Sequence, residues 1–470
     1  MLKYVLVALV FAPLALHGGA ARACDYLLVS TSDFSTGSTS SLNVNTKAAT
    51  LDVEPIHSDA VLRASGVDGL IYAVNRSGGD NIQVLDPCNA FNTLHQYSTG
   101  NGSNPHDIVF VSTTKAYVSR YDMTSVLIMN PQTGATLGTI NLATFADADG
   151  LPEMDQMFLA GSYLCVLLQR LDRTNFYTPV GTSYMAVIDT GTDTVVDMNP
   201  GMNGVQPVTL LHPNNYSEVN TRTVGATSQA YFSCVGFFGV LDGAVIGVDM
   251  ADVTSQSVIL TEAAAGGDIL DVEIINATRG YAIVATPSFT TVLIAFNPAT
   301  GTKTGNTLYA PGGYDLNDCE PDDLLGVLLL TDRKVTAPGI RCYDLATGVA
   351  QGGLINVGLP PFDILVSHGL PVAVGDSPAL TALGANYPNP FNPSTTVPFT
   401  LARAGNVTLR VYDVSGRVVA TLVDGVMPAG AHTRVWNGRN DAGAPVSSGV
   451  YFYELVAGDF RQTRKMVLLK

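Results

Sequence analysis

The sequence predicts an all-β chain in two parts, a seven-bladed β-propeller with a small β-sandwich behind it. Three observations carry this prediction. The chain of 470 residues holds 46 Gly and 25 Pro with only 14% charged residues, a turn-rich composition suited to strands and poorly suited to long helices. Strand-like apolar runs recur in fixed order at a period of about 40 to 50 residues, as in repeat architectures. Near residue 386 both the texture and the charge of the sequence change.

The first 23 residues read as a secretory signal peptide. Met1-Leu2-Lys3 is a basic start, Tyr4 to Leu16 is apolar, and Ala21-Arg22-Ala23 is an A-x-A cleavage site. The apolar run is too short to span a bilayer comfortably, so no transmembrane segment is expected in the mature chain. The residues before Cys24 lack the leucine and small-residue pattern of a lipoprotein site. Export makes the six cysteines (24, 88, 165, 234, 319 and 342) candidates for disulfides, with fifteen pairings open. Cys165 and Cys234 sit inside apolar runs and read equally well as buried small hydrophobes.

Between residues 24 and 371 three families of segment alternate, each with seven members. The first comprises YLLVS (26), LIYAV (70), KAYVS (115), SYLCV (162), QAYFS (229), GYAIV (280) and GVLLL (326). The second, usually closing on Asp or Asn before a turn, comprises SLNVN (41), NIQVLD (81), SVLIMN (125), YMAVID (184), AVIGVD (244), VLIAFN (292) and GIRCYD (339). The third follows a polar loop: DAVLRA (59), DIVFV (107), DQMFLA (155), PVTLLH (207), DVEII (271), DDLLG (322) and DILVS (363). A further strand after an Asn-Pro or Thr-Gly turn completes four strands per repeat, the pattern of a propeller blade whose innermost strand is the third family. The mature chain starts on a second strand and its last repeat ends on an unpaired inner strand. Joining the two closes a ring and leaves no open sheet edge. An array of immunoglobulin-like domains would need a period of about 90 residues, as such domains hold about 100 each.

From Cys24 to Ala385 there are 13 basic and 35 acidic residues, a net charge of −22, whereas residues 386–470 hold 9 basic and 5 acidic, a net of +4. The large part would repel nucleic acid and anionic membrane and favour neutral or basic partners. Residues 372–385 read as a linker, and NYPNPFNPSTTV (386–397) as a rigid separator, because proline lacks an N–H to give to a sheet. Six alternating strands follow, with Asp-Val-Ser-Gly (413–416) as a hairpin turn.

Two resemblances add to this. KAYVSRYDMTSVLIMNPQTGATLGTINL (115–142) resembles the YVTN-type repeat of bacterial propellers, a likeness that implies a fold rather than an activity. Residues 386–470, with their YPNPFNP opening, WNGRNDAG segment and terminal KMVLLK, are similar to the type A C-terminal sorting domain of the type IX secretion system, also described as FlgD-like immunoglobulin. The resemblance implies an immunoglobulin-like sandwich read by the outer-membrane secretion machinery, and a chain secreted or attached to the bacterial outer surface. Its motif-bearing ends are Tyr387, Pro388, Asn389, Pro390, Phe391, Asn392 and Pro393, and Lys465, Met466, Val467, Leu468, Leu469 and Lys470. The alternative is an ordinary adhesive sandwich.

No G-x-S-x-G, H-E-x-x-H, P-loop or dinucleotide-binding context occurs. Six inner strands are led by aspartate: Asp59, Asp107, Asp155, Asp271, Asp322 and Asp363; the fourth has Gln206 nearby instead. Gathered at one mouth of the channel, these oxygens could hold Ca²⁺ or another divalent cation. The plainer expectation is that each binds its own backbone at a turn. His57 and His106 stand beside two of them and His368 ends the closing strand, an arrangement open to acid–base work. Some seven-bladed bacterial propellers are lyases or lactonases, so a metal-dependent lyase or hydrolase is the alternative to a binding module for a protein, glycan or small ligand. LNDCEPDD (316–323) and GTDTVVD (191–197) read as solvated acidic turns.

Overall fold

The computed structural model describes residues 24–224, 227–368, 382–383, 386, 389–401, 405–427, 430–457 and 460–469. The signal-peptide stretch, most of the linker, and Tyr387, Pro388 and Lys470 of the sorting motif lie outside them. The chain is all-β, a propeller followed by an immunoglobulin-like sandwich. Seven sheets of three or more strands succeed one another from residue 24 to residue 368, each built mainly of antiparallel neighbours in chain order, and a two-stranded ribbon, Leu171–Asp172 with Thr178–Pro179, stands beside them.

Blade one runs through Ala60–Ala64, Ile71–Asn75, Asn81–Asp86 and Asn92–Ser98, and blade two through Pro105–Ser112, Lys115–Arg120, Ser125–Met129 and Thr136–Asn141. Blades three to six begin on inner strands Met154–Ala160, Asn220–Val224, Asp268–Asn276 and Cys319–Asp322. Blade seven is the closure: Pro361–His368 pairs with Asp25–Ser32, aligning Leu365 with Leu28 and Ile364 with Val29. Gly37–Asn43 and Ala48–Ile56 complete it.

Why the sheets stand in a ring is visible in the burial. The middle strands are apolar on both faces (Ile71–Asn75 and Tyr163–Leu168 are buried almost throughout), so each sheet needs a neighbour on either side. Accordingly the core is divided into seven clusters, one between each consecutive pair of blades. The last two link blade seven to blade six through Val29, Leu329 and Cys342, and to blade one through Leu28, Leu62 and Ile71. Each buried leucine, isoleucine or valine contributes roughly 1.5–3 kcal/mol of transfer free energy.

Two inner strands differ from expectation. PVTLLH is not the inner strand of blade four: Val208–Thr209 pairs with Tyr184–Asp189 on the outside of blade three. The inner strand is Asn220–Val224, whose alternating polar sequence carries no apolar run. In blade six the strand is Cys319–Asp322, so Asp322 closes it rather than leading it. Of the cysteines, Cys24 and Cys88 form a disulfide, and the other four are buried and free.

In the C-terminal domain, Ala382–Leu383, Thr395–Leu401 and Gly430–Trp436 form one sheet, and Val418–Met427, Gly405–Tyr412, Gly449–Ala457 and Phe460–Leu468 the other. Trp436 lies in the core between Phe391 and Tyr451, at ring distances of 5.6 and 5.1 Å. The expected linker therefore ends inside this domain, because Leu383 is buried in its core. The proline-rich stretch is no free-standing separator either. Phe391 makes a parallel bridge to Leu468: its N–H donates to the Val467 carbonyl at 3.0 Å, and the Phe391 carbonyl accepts the Leu469 N–H at 2.9 Å. Asn389 Oδ1 accepts the Val467 N–H at 2.9 Å. A residue placed between two prolines can still pair on both of its backbone groups.

Candidate functional site

The inner strands surround a cavity of about 240 Å³. Asp155, Glu218, Asp271, Asp318 and Asp363 line it, with Arg76, His106, Tyr216 and Phe362 among the other wall residues. Asp155, Asp271 and Asp363 lie within inner strands; Asp318 and Glu218 stand on the segments that lead into them.

Three of the six predicted aspartates, Asp107, Asp271 and Asp363, together with Asp318, do structural work between blades that neither expectation described, although Asp107 also accepts the N–H of its own neighbour Ile108 at 2.9 Å. Each reaches across to the next blade and accepts a backbone N–H of its inner strand. Asp107 accepts from Met157 at 2.8 Å, Asp271 from Cys319 at 2.9 Å, Asp318 from Ile364 at 2.7 Å and Asp363 from Leu62 at 2.5 Å. An N–H on the channel-facing edge of an inner strand has no sheet partner on that side, and a carboxylate from the preceding blade takes the place of one. Asp59 is held instead by Arg76, at 2.5 Å to Nη2; burial opposes its ionisation, but the guanidinium keeps its carboxyl below the usual range. Asp322 lies away from the cavity, accepting the Leu325 N–H in the turn after its strand. Among the described residues no three His, Cys, Asp or Glu side chains are arranged to hold a metal ion, so the six aspartates do not form one shell.

Arg63 is the central cation. Its Nε donates to Asp107 at 2.7 Å, Nη1 to Glu218 at 2.8 Å and Nη2 to Gln156 Oε1 at 3.0 Å, which ties blades one, two and three to the loop before blade four. On the other side of the channel, among the described residues, no guanidinium hydrogen-bonds Asp271, Asp318, Glu320 or Asp363, although Arg63 and Arg76 lie near enough to Asp363 to oppose part of its shift. Burial, with the mutual repulsion of neighbouring carboxylates, pushes Asp363 up to about 7 and Asp271 to about 6, and raises Asp318, Glu320 and Glu273 well above the carboxylate range. LNDCEPDD is thus no solvated turn, because Asp318 and Glu320 face this acidic half.

His57 and His106 separate. His57 accepts the Asp59 N–H at Nδ1 (3.2 Å) and is absent from the cavity wall. His106 lines the cavity, with Nδ1 2.8 Å from Asp155 Oδ1 and its ring stacked on Tyr121 at 4.3 Å. Asp155 is buried and oriented by Gln169 Nε2 (3.0 Å) and Asn215 Nδ2 (3.3 Å). The result is an oriented carboxylate–imidazole pair. Sequence reasoning missed Arg63, Glu218, Asp318, Gln169 and Asn215; only the acidic density of residues 316–323 carried a signal.

Against known proteins, residues 392–459 match the family described as the FlgD Ig-like domain. The chain is 30% identical over 127 residues to the basal-body rod modification protein FlgD of Salmonella typhimurium, and equally to that of Salmonella typhi. These matches take in 26% of this chain and 53% of each FlgD, so the chain spans about half the length of the curated relatives it matches. Similar solved structures include PorZ, described as a bacterial surface component of the type-IX secretion system of Porphyromonas gingivalis (12% identity, 93% of this chain and 56% of that one, TM-score 0.37). A putative 6-phosphogluconolactonase from Bacteroides fragilis (16%, 73% and 97%, 0.48) and a protein from Lactobacillus plantarum (12%, 72% and 98%, 0.49) are others. At these scores they say nothing of function. No helix among the described residues is long and apolar enough to cross a membrane.

Proposed function

We propose that this chain is an exported binding module, displayed on or released from the bacterial outer surface. Its propeller receives a neutral or basic ligand at the channel mouth, and its C-terminal domain is the unit read by the outer-membrane secretion machinery. The observation that carries the binding reading is the half-neutralised channel: five carboxylates line a cavity whose wall holds one guanidinium, from Arg76. A cation entering there gains charge-assisted hydrogen bonds and relieves repulsion between buried acids.

Thermal unfolding of the full mature chain with spermidine, Ca²⁺ or citrate tests it, since a ligand of the folded state raises the midpoint. A rise with a cation, lost in Asp318→Asn/Asp363→Asn, is expected; no rise with either cation would sink the reading. For export, deletion of residues 386–470 should retain the chain in the periplasm of a bacterium that owns the type IX system. Undiminished surface display of the truncated chain would count against the sorting role.

A second reading has one specific support, the His106–Asp155 pair in the cavity wall. Such a pair can move a proton on a bound substrate. A hydrolase or lyase activity abolished by His106→Ala with an unchanged unfolding midpoint would favour it.

A further inference from the structure

In a four-stranded antiparallel blade, the loop between the second and third strands lies at the same end as the entry of the first. That is the end where Asp59, His106 and Asp318 stand. All five phenylalanines that are exposed among the described residues fall in these loops: Phe34 in blade seven, Phe176 in blade three, Phe237 and Phe238 in blade four, and Phe289 in blade five. Their exposure runs from 43% at Phe237 to 94% at Phe176. The turns at the opposite face carry aliphatic residues such as Leu324 and Val349 and no exposed phenylalanine.

The ring of phenylalanines is continuous with the cavity. Tyr216, in the cavity wall, packs edge-on against Phe238 at 5.3 Å. Across the mouth, Phe362 of the wall lies under the Arg333 guanidinium at 5.3 Å, and the same guanidinium covers Phe34 at 4.7 Å. The Gly239 N–H, beside Phe238, donates to Asp268 at the head of the next inner strand (2.8 Å). Apolar rings thus surround an acidic centre on a single face.

Exposed rings on four blades are spread too widely for one small molecule in the cavity to cover, so the surface calls for a macromolecule. Phenylalanine offers no hydroxyl or amide to sugar hydroxyls, but its face attracts cations, and the acidic centre does so more strongly. Building on the channel-mouth reading above, we propose that this face docks a protein whose tip carries lysine or arginine among apolar residues, the basic side chain entering the channel while its neighbours cover the phenylalanines.

The test is selection of displayed random dodecapeptides on the full mature chain, followed by affinity measurement with the winning peptide. Enriched sequences should join Lys or Arg to aromatic or aliphatic neighbours. Phe34→Ser/Phe238→Ser/Phe289→Ser should weaken the peptide by about tenfold or more, while Leu324→Ser/Val349→Ser on the far face changes nothing. Because all of these side chains are exposed, the unfolding midpoint should stay in place. Affinity should also fall in high salt and in Asp318→Asn/Asp363→Asn. Acidic or uncharged winners, a triple variant that binds as well as the parent, no enrichment, or capture of phosphatidylcholine vesicles in place of peptide would each overturn the proposal. If spermidine still raises the midpoint in any of those cases, the channel-mouth reading stands and only the protein partner falls.

Discussion

A buried carboxylate is normally a liability, yet Asp363 serves two needs at once. It closes the hydrogen bond to the Leu62 N–H where blade seven meets blade one, and it adds to the acidic half of the channel. These roles separate by mutation. Asp363→Ala leaves the Leu62 N–H without an acceptor and should cost about 1–3 kcal/mol in urea unfolding; Asp363→Asn retains an oxygen there and should cost much less. Equal losses in the two variants would remove the latch interpretation. Such detail was only partly legible in the sequence. The recurrence of aspartate at strand heads was readable, but whether it turns to its own backbone or the neighbour's depends on how close the next blade stands. Arg63, set mid-strand in an unremarkable DAVLRA, gave no sign that three partners from other segments converge on it.

At the scale of elements, apolar runs were reliable guides wherever a strand is buried on both faces. All seven second strands and all seven third strands lie where those runs placed them. Reliability failed where a strand pairs without burying: Asn220–Val224 alternates half-buried and exposed side chains, and a nearby apolar PVTLLH took its place in the reading. The phenylalanine loops escaped notice for the opposite reason, since single apolar residues among polar ones look like scatter until the ring gathers them. The disulfide is another consequence of the ring. Cys24 and Cys88 are 64 residues apart and meet only because the strand Asp25–Ser32 of blade seven lies against blade one. It should stabilise by roughly 2–4 kcal/mol, so Cys88→Ser should lower the urea midpoint by a corresponding amount, and dithiothreitol should lower that of the parent but not of the variant. An unchanged midpoint in Cys88→Ser would show that closure does not depend on the bond.

For the molecule as a whole, the uneven charge of the channel sets a pH response of unusual direction. Asp271 at about 6 and Asp363 at about 7 keep their protons in the folded chain at pH values where the unfolded chain has lost them. Folding therefore takes up protons, and this share of the stability, full below about pH 4, drains away as pH rises through 6 and 7. The unfolding midpoint should be higher at pH 5.5 than at pH 8, and Asp318→Asn/Asp363→Asn should flatten the difference. A midpoint that instead climbs steadily from pH 5.5 to 8 would mean that the carboxylates are neutralised in a way the geometry does not contain.

The pairing of Pro361–His368 with Asp25–Ser32 also imposes an order in time. Three strands from the start of the propeller, Asp25–Ser32, Gly37–Asn43 and Ala48–Ile56, belong to a sheet whose innermost member, Pro361–His368, comes after every other propeller strand among the described residues. Until residue 368 has emerged, Asp25–Ser32 has one edge unsatisfied, and the disc cannot shut. A chain made this way stays open for most of its delivery and locks in a single late event. Any machine that must carry it unfolded has that interval in which to act.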